Sequence, residues 1–363
     1  MEFEKYRLSQ LLTIKNGRDY KSLGQGSVPV FGSGGYMCSV DSYLYDRPSV
    51  LLPRKGTLSN IQYYDKGPFW TVDTCYYTIV DKNLVNSYYI YRYLRNLNLS
   101  GLDTGASIPS MTQKTYNGIK ILLPNLSIQH RIASILSTYD SLIENNTKRI
   151  RLLEKMAENL YKEWFVRFRF PGHENVEMEN GLPKGWKRGS LSDVCEFKRG
   201  KNITSSEMQE GNVPVISAGL EPSGYHSCSN VRGVNVTMSS SGANAGYIAI
   251  HYSDIWAADC SYIEESTTGN IYYVYELLNN IRTVINNFQR GAAQPHVYPK
   301  DVNRIKLILP SKELMLKANG RLEIMHKEIY NLQKQNSLLA RQRDLLLPRL
   351  MSGKLEVKEE LLE

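Results

Sequence analysis

Several loop-like segments of this chain carry side chains suited to gripping a phosphate backbone and reaching base edges. Arg and Lys neutralise phosphates, while Ser, Asn and Gln present donors and acceptors to bases. In the first half the candidates are Lys15, Arg18, Tyr36, Arg54, Lys55, Thr57 and Ser107. In the second they are Lys198, Arg199, Lys201, Tyr225, Ser240, Asn244, Gln294 and His296. Positions 54–57 read Arg-Lys-Gly-Thr, and their counterparts at 240–243 read Ser-Ser-Gly-Ala. One frame thus carries two loop chemistries, as two sites reading different targets require.

Catalytic chemistry finds little support. The glycines of Phe31-Gly32-Ser33-Gly34-Gly35 are out of step with a methyl-donor binding turn, and the matching Ile216-Ser217-Ala218-Gly219-Leu220 abandons it. There is no Pro-Pro pair and no G-x-x-x-x-G-K-[ST] phosphate loop, which argues against an aminomethyltransferase and an NTPase. The histidines (His130, His173, His226, His251, His296, His326) show no metal-like spacing. Asp73 and Asp259 follow Trp70 and Trp256 at the same spacing. They are expected to be tied to backbone amides in a domain core. No acid/base pair, cofactor site or metal site is expected on this chain.

The elements that position the loops come twice. Gly105-Ala106-Ser107-Ile108-Pro109, Lys114 and Ile119–Pro124 return 186 residues later as Gly291-Ala292-Ala293-Gln294-Pro295, Lys300 and Ile305–Pro310. Trp70–Asp73 returns as Trp256–Asp259 and Gly56 as Gly242. Solenoid repeats run about 20–50 residues. This one is a duplicated domain, which mimics a two-fold dimer within one chain. Short β-branched runs (Ser49–Pro53, Tyr76–Val80, Ile119–Leu123; Val234–Met238, Tyr247–Ile250, Ile305–Leu309) predict strands, and Tyr88–Leu97 and Tyr272–Phe288 predict helices. The fold class is α+β.

After each proline stop the period changes to that of a helix. Apolar residues recur at 136, 139, 143, 150, 153, 157, 160 and 164, with Asn146 in the same series, and the series plus 186 marks a second stripe that includes Asn336 and Arg343. Each stripe spans about 28 residues, or about 42 Å. Such spacing predicts a coiled coil. An antiparallel register places Leu153 on Ile329 and sets Asn146 opposite Asn336, so that each amide satisfies the other and fixes the alignment. A pseudo-two-fold axis then passes near Lys148 and Lys334. The divisions that follow are 1–124 and 187–310 for the domains, 125–170 and 311–353 for the helices, 171–186 for a polar link returning along the rod, and 354–363 for a tail.

At 363 residues and 42% hydrophobic content the chain has room for two cores. The net charge of +8 is concentrated in residues 1–124, which hold 14 Lys and Arg against 9 Asp and Glu. This surplus is compatible with nucleic acid without requiring it. Five cysteines without a CxxC pair, no apolar run of spanning length and no signal-like N-terminus predict a reducing, cytoplasmic location.

The whole pattern resembles the specificity subunit of a type I restriction–modification system. Leu51–Thr57, Phe69–Thr74, Ile128-Gln129 with Arg131-Ile132-Ala133, Trp164–Gly172 and Leu345–Gly353 carry the resemblance. Ser311–Leu314 departs from the Gln129–Ala133 pattern. The resemblance implies two target-recognition domains binding the halves of a bipartite double-stranded DNA site, with the helices as a ruler. Two methyltransferase subunits and the motor–nuclease subunits would dock on the helices, and S-adenosylmethionine and DNA methylation would belong to those partners. A rod near 40 Å is close to one turn of B-DNA, about 34–36 Å. Two other readings are a coiled-coil scaffold touching only protein and a self-contained DNA methyltransferase.

Overall fold

The first strand of each repeat pairs with its last. In the computed structural model Glu4–Arg7 runs antiparallel to Lys120–Leu123, and Lys187–Ser190 runs antiparallel to Lys306–Leu309. Along Lys120–Leu123 the side chains alternate, Ile121 and Leu123 inward, Lys120 and Leu122 outward, the period of a strand covered on one face. The structure describes residues 2–97, 99–103, 105, 108–291 and 295–357.

Between these clasps the two domains have one topology. A four-stranded sheet in the first is ordered Leu12–Asn16, Cys75–Val80, Ser49–Pro53, Gln62–Tyr64; in the second it is Lys198–Arg199, Cys260–Glu264, Asn235–Ser239, Ile248–His251. A three-stranded sheet follows suit: Gly35–Val40, Gln25–Gly32, Trp70–Thr71 against Gly224–His226, Val213–Ile216, Trp256–Ala257. In both, the tryptophan strand is added parallel. Ser49–Pro53 and Asn235–Ser239 are buried at every residue, including the polar Ser49, Asn235, Thr237 and Ser239.

The helix Ser87–Arg95 starts at Asn86, whose side chain accepts from the Tyr88 and Tyr89 amides. It buries Tyr89, Ile90 and Leu94. The second domain departs from expectation here. Tyr272–Phe288 is two helices, Ile271–Asn280 and Arg282–Asn286, broken at Ile281. Its first turn is capped from a distance, by Asn319 Oδ1 accepting from the Tyr272 and Tyr273 amides.

Two long helices, Leu126–Tyr161 and Lys312–Met351, complete the fold. The chain forms two units, Met1–Asn145 with Gln335–Glu363, and Asn146–Lys334, so each unit holds one domain and half of each helix. In the first unit Ile128, Ile132 and Leu136 share a core with Leu347, Leu350 and Met351. Arg343 Nη1 donates to Asp140 Oδ1 at 2.7 Å. In the second, Ala157, Tyr161, Trp164 and Phe165 share a core with Met315, Ala318 and Leu322. Arg149 meets Glu328 at 2.7 Å, and Arg321 lies 5.5 Å from the Trp164 ring. As numbers rise along one helix they fall along its partner, so the helix halves within each unit are antiparallel. No residue of either stripe is exposed: Asn146, Ile329 and Leu332 are buried, Leu153, Asn336 and Leu339 half-buried.

The link differs most from expectation. It does not run along the helices. After Tyr161 the first helix widens into a π turn, Lys162–Val166. Phe168 then adopts a left-handed backbone conformation, with φ 58°. Phe165, Phe168 and Phe170 gather on Trp186, with Phe170 stacked at 5.7 Å. A short hairpin, Met178–Glu179 with Leu182–Pro183, closes the segment within the second unit.

Candidate nucleic-acid interface

In the first domain the loops converge on the turn Thr71–Cys75. Gly17 lies against it so closely that an added Cβ would sit 2.0 Å from the Val72 carbonyl oxygen. The Arg18 amide donates to Thr71 O at 2.8 Å, and Trp70 Nε1 donates to Arg18 O at 2.8 Å. These bonds hold the backbone of Arg18 and leave its side chain exposed. On the other side the Arg54 amide donates to Thr74 O at 2.8 Å, and Arg54 Nη1 to Asp73 O at 3.4 Å.

Gly56, at φ 91°, donates its amide to Pro109 O at 2.8 Å, while Met111 returns a bond to Arg54 O. The segment Pro109–Met111 is therefore strapped to the Arg54–Thr57 segment. Asp103 tightens its base by accepting from the Gly105 and Ser110 amides, both at 2.8 Å. Those two bonds lower the Asp103 pKa. Asn60 and Gln62 donate to Ser33 O and Gly32 O, fastening the hairpin tip that carries Tyr36, which is 63% exposed. Gln113 Nε2 ties Asn16 Oδ1 to the group at 3.0 Å.

The second domain repeats the straps with different side chains. Gly200 donates to Cys260 O and Lys201 to Ala257 O, and Trp256 Nε1 donates to Lys201 O at 2.9 Å. Gly242 donates to Pro295 O at 3.0 Å, the equivalent of the Gly56–Pro109 bond. Val297 donates to Ser240 O. Asn244 ends the turn Gly242–Asn244, and its carbonyl accepts from the Tyr247 amide. Arg290 and His296 exchange two backbone bonds across the loop. The His296 ring stacks on Tyr298, centroids 6.2 Å apart. Lys198, Arg199, Lys201 and Tyr225 are exposed beside this loop system or on the adjoining strands.

The structure thus gathers Lys15, Arg18, Arg54, Lys55 and Thr57 at one end of the first domain, with Tyr36 on the neighbouring hairpin. It gathers Lys198, Arg199, Lys201, Ser240, Asn244 and His296 on the second, with Tyr225 on the strand equivalent to that of Tyr36. Ser107 and Gln294 lie outside the described residues. The candidates drawn from residue type did not include Arg290 and Tyr298, which flank the repeated segment that begins at Gly291. Arg290 adjoins the repeated Gly291 and could have been found from it.

Asp73 and Asp259 are not tied to backbone amides in a core. Asp73 is exposed and contributes its carbonyl to Arg54, whereas the half-buried Asp259 takes the Ser241 hydroxyl at 2.6 Å. The shared Trp-x-x-Asp spacing fixes the turn but not the surroundings of the carboxylate. Burial pushes the Cys75, Cys195 and Cys260 thiols up to about 12, so they stay protonated and inert. His251 is pushed down to about 4 by burial and meets Thr237 Oγ1 at 2.8 Å. Among the described residues no group of three or more His, Cys, Asp and Glu could hold a metal, and no helix is long and apolar enough to cross a membrane.

A twice-built α+β domain with matched loop straps, carrying halves of an antiparallel helical pair, defines a duplicated recognition module. The chain belongs to the type I restriction–modification DNA specificity family, whose model matches residues 1–155 and 183–336, once over each repeat. It is 25% identical over 345 residues to the type I restriction enzyme MjaIX specificity subunit of Methanocaldococcus jannaschii, covering 87% of this chain and 79% of that one. It is 24% identical over 303 residues to a putative type I specificity subunit of Mycoplasma genitalium, covering 81% and 78%. The crystal structure of a type I restriction–modification S subunit from M. genitalium shares the fold, with a TM-score of 0.69 at 19% identity over 96% of each chain.

Proposed function

We propose that this chain is the non-catalytic DNA-recognition subunit of a type I restriction–modification complex. Domains 1–124 and 187–310 each bind one half of a bipartite double-stranded DNA target. The observation that carries this reading is the repeated strap, Gly56 to Pro109 and Gly242 to Pro295, which holds equivalent loops of unlike chemistry. A frame that stays constant while its side chains change is what two independent half-site readers need.

Lys15, Arg18, Lys55, Lys198, Arg199 and Lys201 engage phosphates. Arg54, Thr57, Ser107, Ser240, Asn244, Gln294 and His296 reach base edges, and Tyr36 and Tyr225 flank the duplex. The helices 125–170 and 311–353, with Leu153 aligned on Ile329, set the spacing. Two methyltransferase subunits and the motor–nuclease subunits dock along them and supply S-adenosylmethionine and catalysis, in the cytoplasm. Residues 171–186 link the first helix to the second domain, and 354–363 form a C-terminal tail.

Mobility shifts of the chain with its methyltransferase test this. Binding should appear on random duplex DNA, weaken steeply with salt, and tighten on one bipartite sequence. A complex that ignores DNA would leave only a protein scaffold, and methyl transfer by the chain alone would make it an enzyme.

A further inference from the structure

The two Trp-x-x-Asp turns end in carboxylates with different surroundings. In the second domain Asp259 is half-buried and takes the hydroxyl of Ser241, itself buried, at 2.6 Å. That carboxylate is occupied within the domain. In the first domain Lys55 stands where Ser241 stands. Asp73 is exposed, and its carboxylate makes no hydrogen bond or ion pair among the described residues. Yet it sits on the turn to which three basic residues are fastened. The Arg18 amide donates to Thr71 O at 2.8 Å, and the Arg54 and Lys55 amides donate to Thr74 O at 2.8 and 3.4 Å. A bare carboxylate on a surface that grips phosphates repels them. Its placement there costs affinity unless it meets a donor on a base.

Arg54 is aimed by more than its amide. Met111 donates to its carbonyl at 3.0 Å, and Nη1 donates to Asp73 O at 3.4 Å. The half-buried guanidinium therefore lies beside Asp73, and its other N–H groups make no bond among the described residues. A planar fork fixed in this way loses little freedom when it binds. Donors from the fork beside an acceptor-only carboxylate complement one base pair. In the major groove guanine presents O6 and N7 as acceptors, and cytosine presents its N4 amino group as a donor. An A·T pair orders acceptor, donor, acceptor instead. The second domain has neither half of the arrangement, because Ser240 replaces Arg54 and Asp259 is already bonded to Ser241.

We propose that Arg54 and Asp73 together read one G·C base pair in the first half-site, Arg54 donating to guanine O6 and N7 and Asp73 accepting from cytosine N4. The second domain, with Ser240 and an occupied Asp259, imposes no such requirement at the equivalent place. This inference rests on the DNA-recognition reading and names the base pair that one of its side-chain pairs selects.

Selection from a random duplex library by the full chain with its methyltransferase tests it, and the second half-site serves as an internal control of folding. The wild type should fix a G·C pair in its first half-site. Arg54→Ala should relax that pair alone, by about tenfold to a hundredfold. Replacing that guanine with 7-deazaguanine, which lacks the N7 acceptor, should weaken the wild type and leave Arg54→Ala unchanged. Asp73→Asn separates base reading from general electrostatics. It should weaken binding to the selected site while binding to random duplex holds or tightens, since a negative charge is lost. Should Arg54→Ala fail to fold, Asp73→Asn, at an exposed position, decides alone. Tighter binding of Asp73→Asn to every duplex, the selected one included, overturns the inference and leaves the recognition reading standing. So do base preferences that survive both substitutions. A wild type that selects no sequence overturns both.

Discussion

Asp140 shows how single charges hold a domain to its helix. Burial alone would raise its pKa, but the Tyr88 hydroxyl and the Arg92 and Arg343 guanidiniums outweigh that and hold the carboxyl below its ordinary 3.8. A lowered carboxyl stabilises the fold fully above that ordinary value and ceases to as pH falls through the folded-state value. Asp140→Ala leaves Arg92, whose side chain is 3% exposed, without its carboxylate. Urea unfolding should register a loss of about 3 kcal/mol at neutral pH, shrinking towards the acid limit. Lys55 acts differently, because it is exposed and makes no side-chain bond with the domain among the described contacts. Lys55→Ala should weaken binding about equally on every DNA sequence and reduce the salt slope by about 1. A change confined to one base position would move Lys55 from phosphate to base contact.

Backbone geometry positions the loops of the proposed interface as much as side chains do. Gly200 has its ideal Cβ position 2.4 Å from Ala258 O, so Gly200→Ala must displace the segment bearing Lys198, Arg199 and Lys201. Selection of bound sequences should then show the second half-site degraded and the first intact. Removing seven residues from each long helix shortens it by about 10 Å, close to three base pairs at 3.4 Å. The preferred spacer should shrink by that amount, and an unchanged spacer would end the ruler role. Most of these elements were legible in the chain. The 186-residue offset aligned strands, loops and helices at once, and no position of either 3.6-period stripe is exposed, although the buried Ile128, Ile132, Tyr161, Met315, Ala318 and Leu347 fall outside the stripes. The break at Ile281 was hidden because no Gly or Pro marks it. The link was misjudged because Pro171, Gly172, Gly181 and Pro183 read as flexible chain, whereas Phe165, Phe168, Phe170 and Trp186 are scattered in sequence and meet only in space. The Arg92–Asp140 pair, 48 residues apart, left no local signature.

Duplication lets one chain do what a symmetric dimer does while keeping two different ends. The domains share topology strand for strand, yet the buried Arg92 of one stands where Glu276 stands in the other, and the charged loop of one is neutral in its counterpart. Independent change of each half is possible because every loop strap closes within its own domain. Replacing residues 1–124 with the corresponding domain of another family member, then mapping the methylated positions produced by the assembled complex, tests this most directly. One half of the recognised sequence should change while the other half and the spacing persist. Alteration of both halves, or of neither, would contradict the assignment of one half-site to each domain.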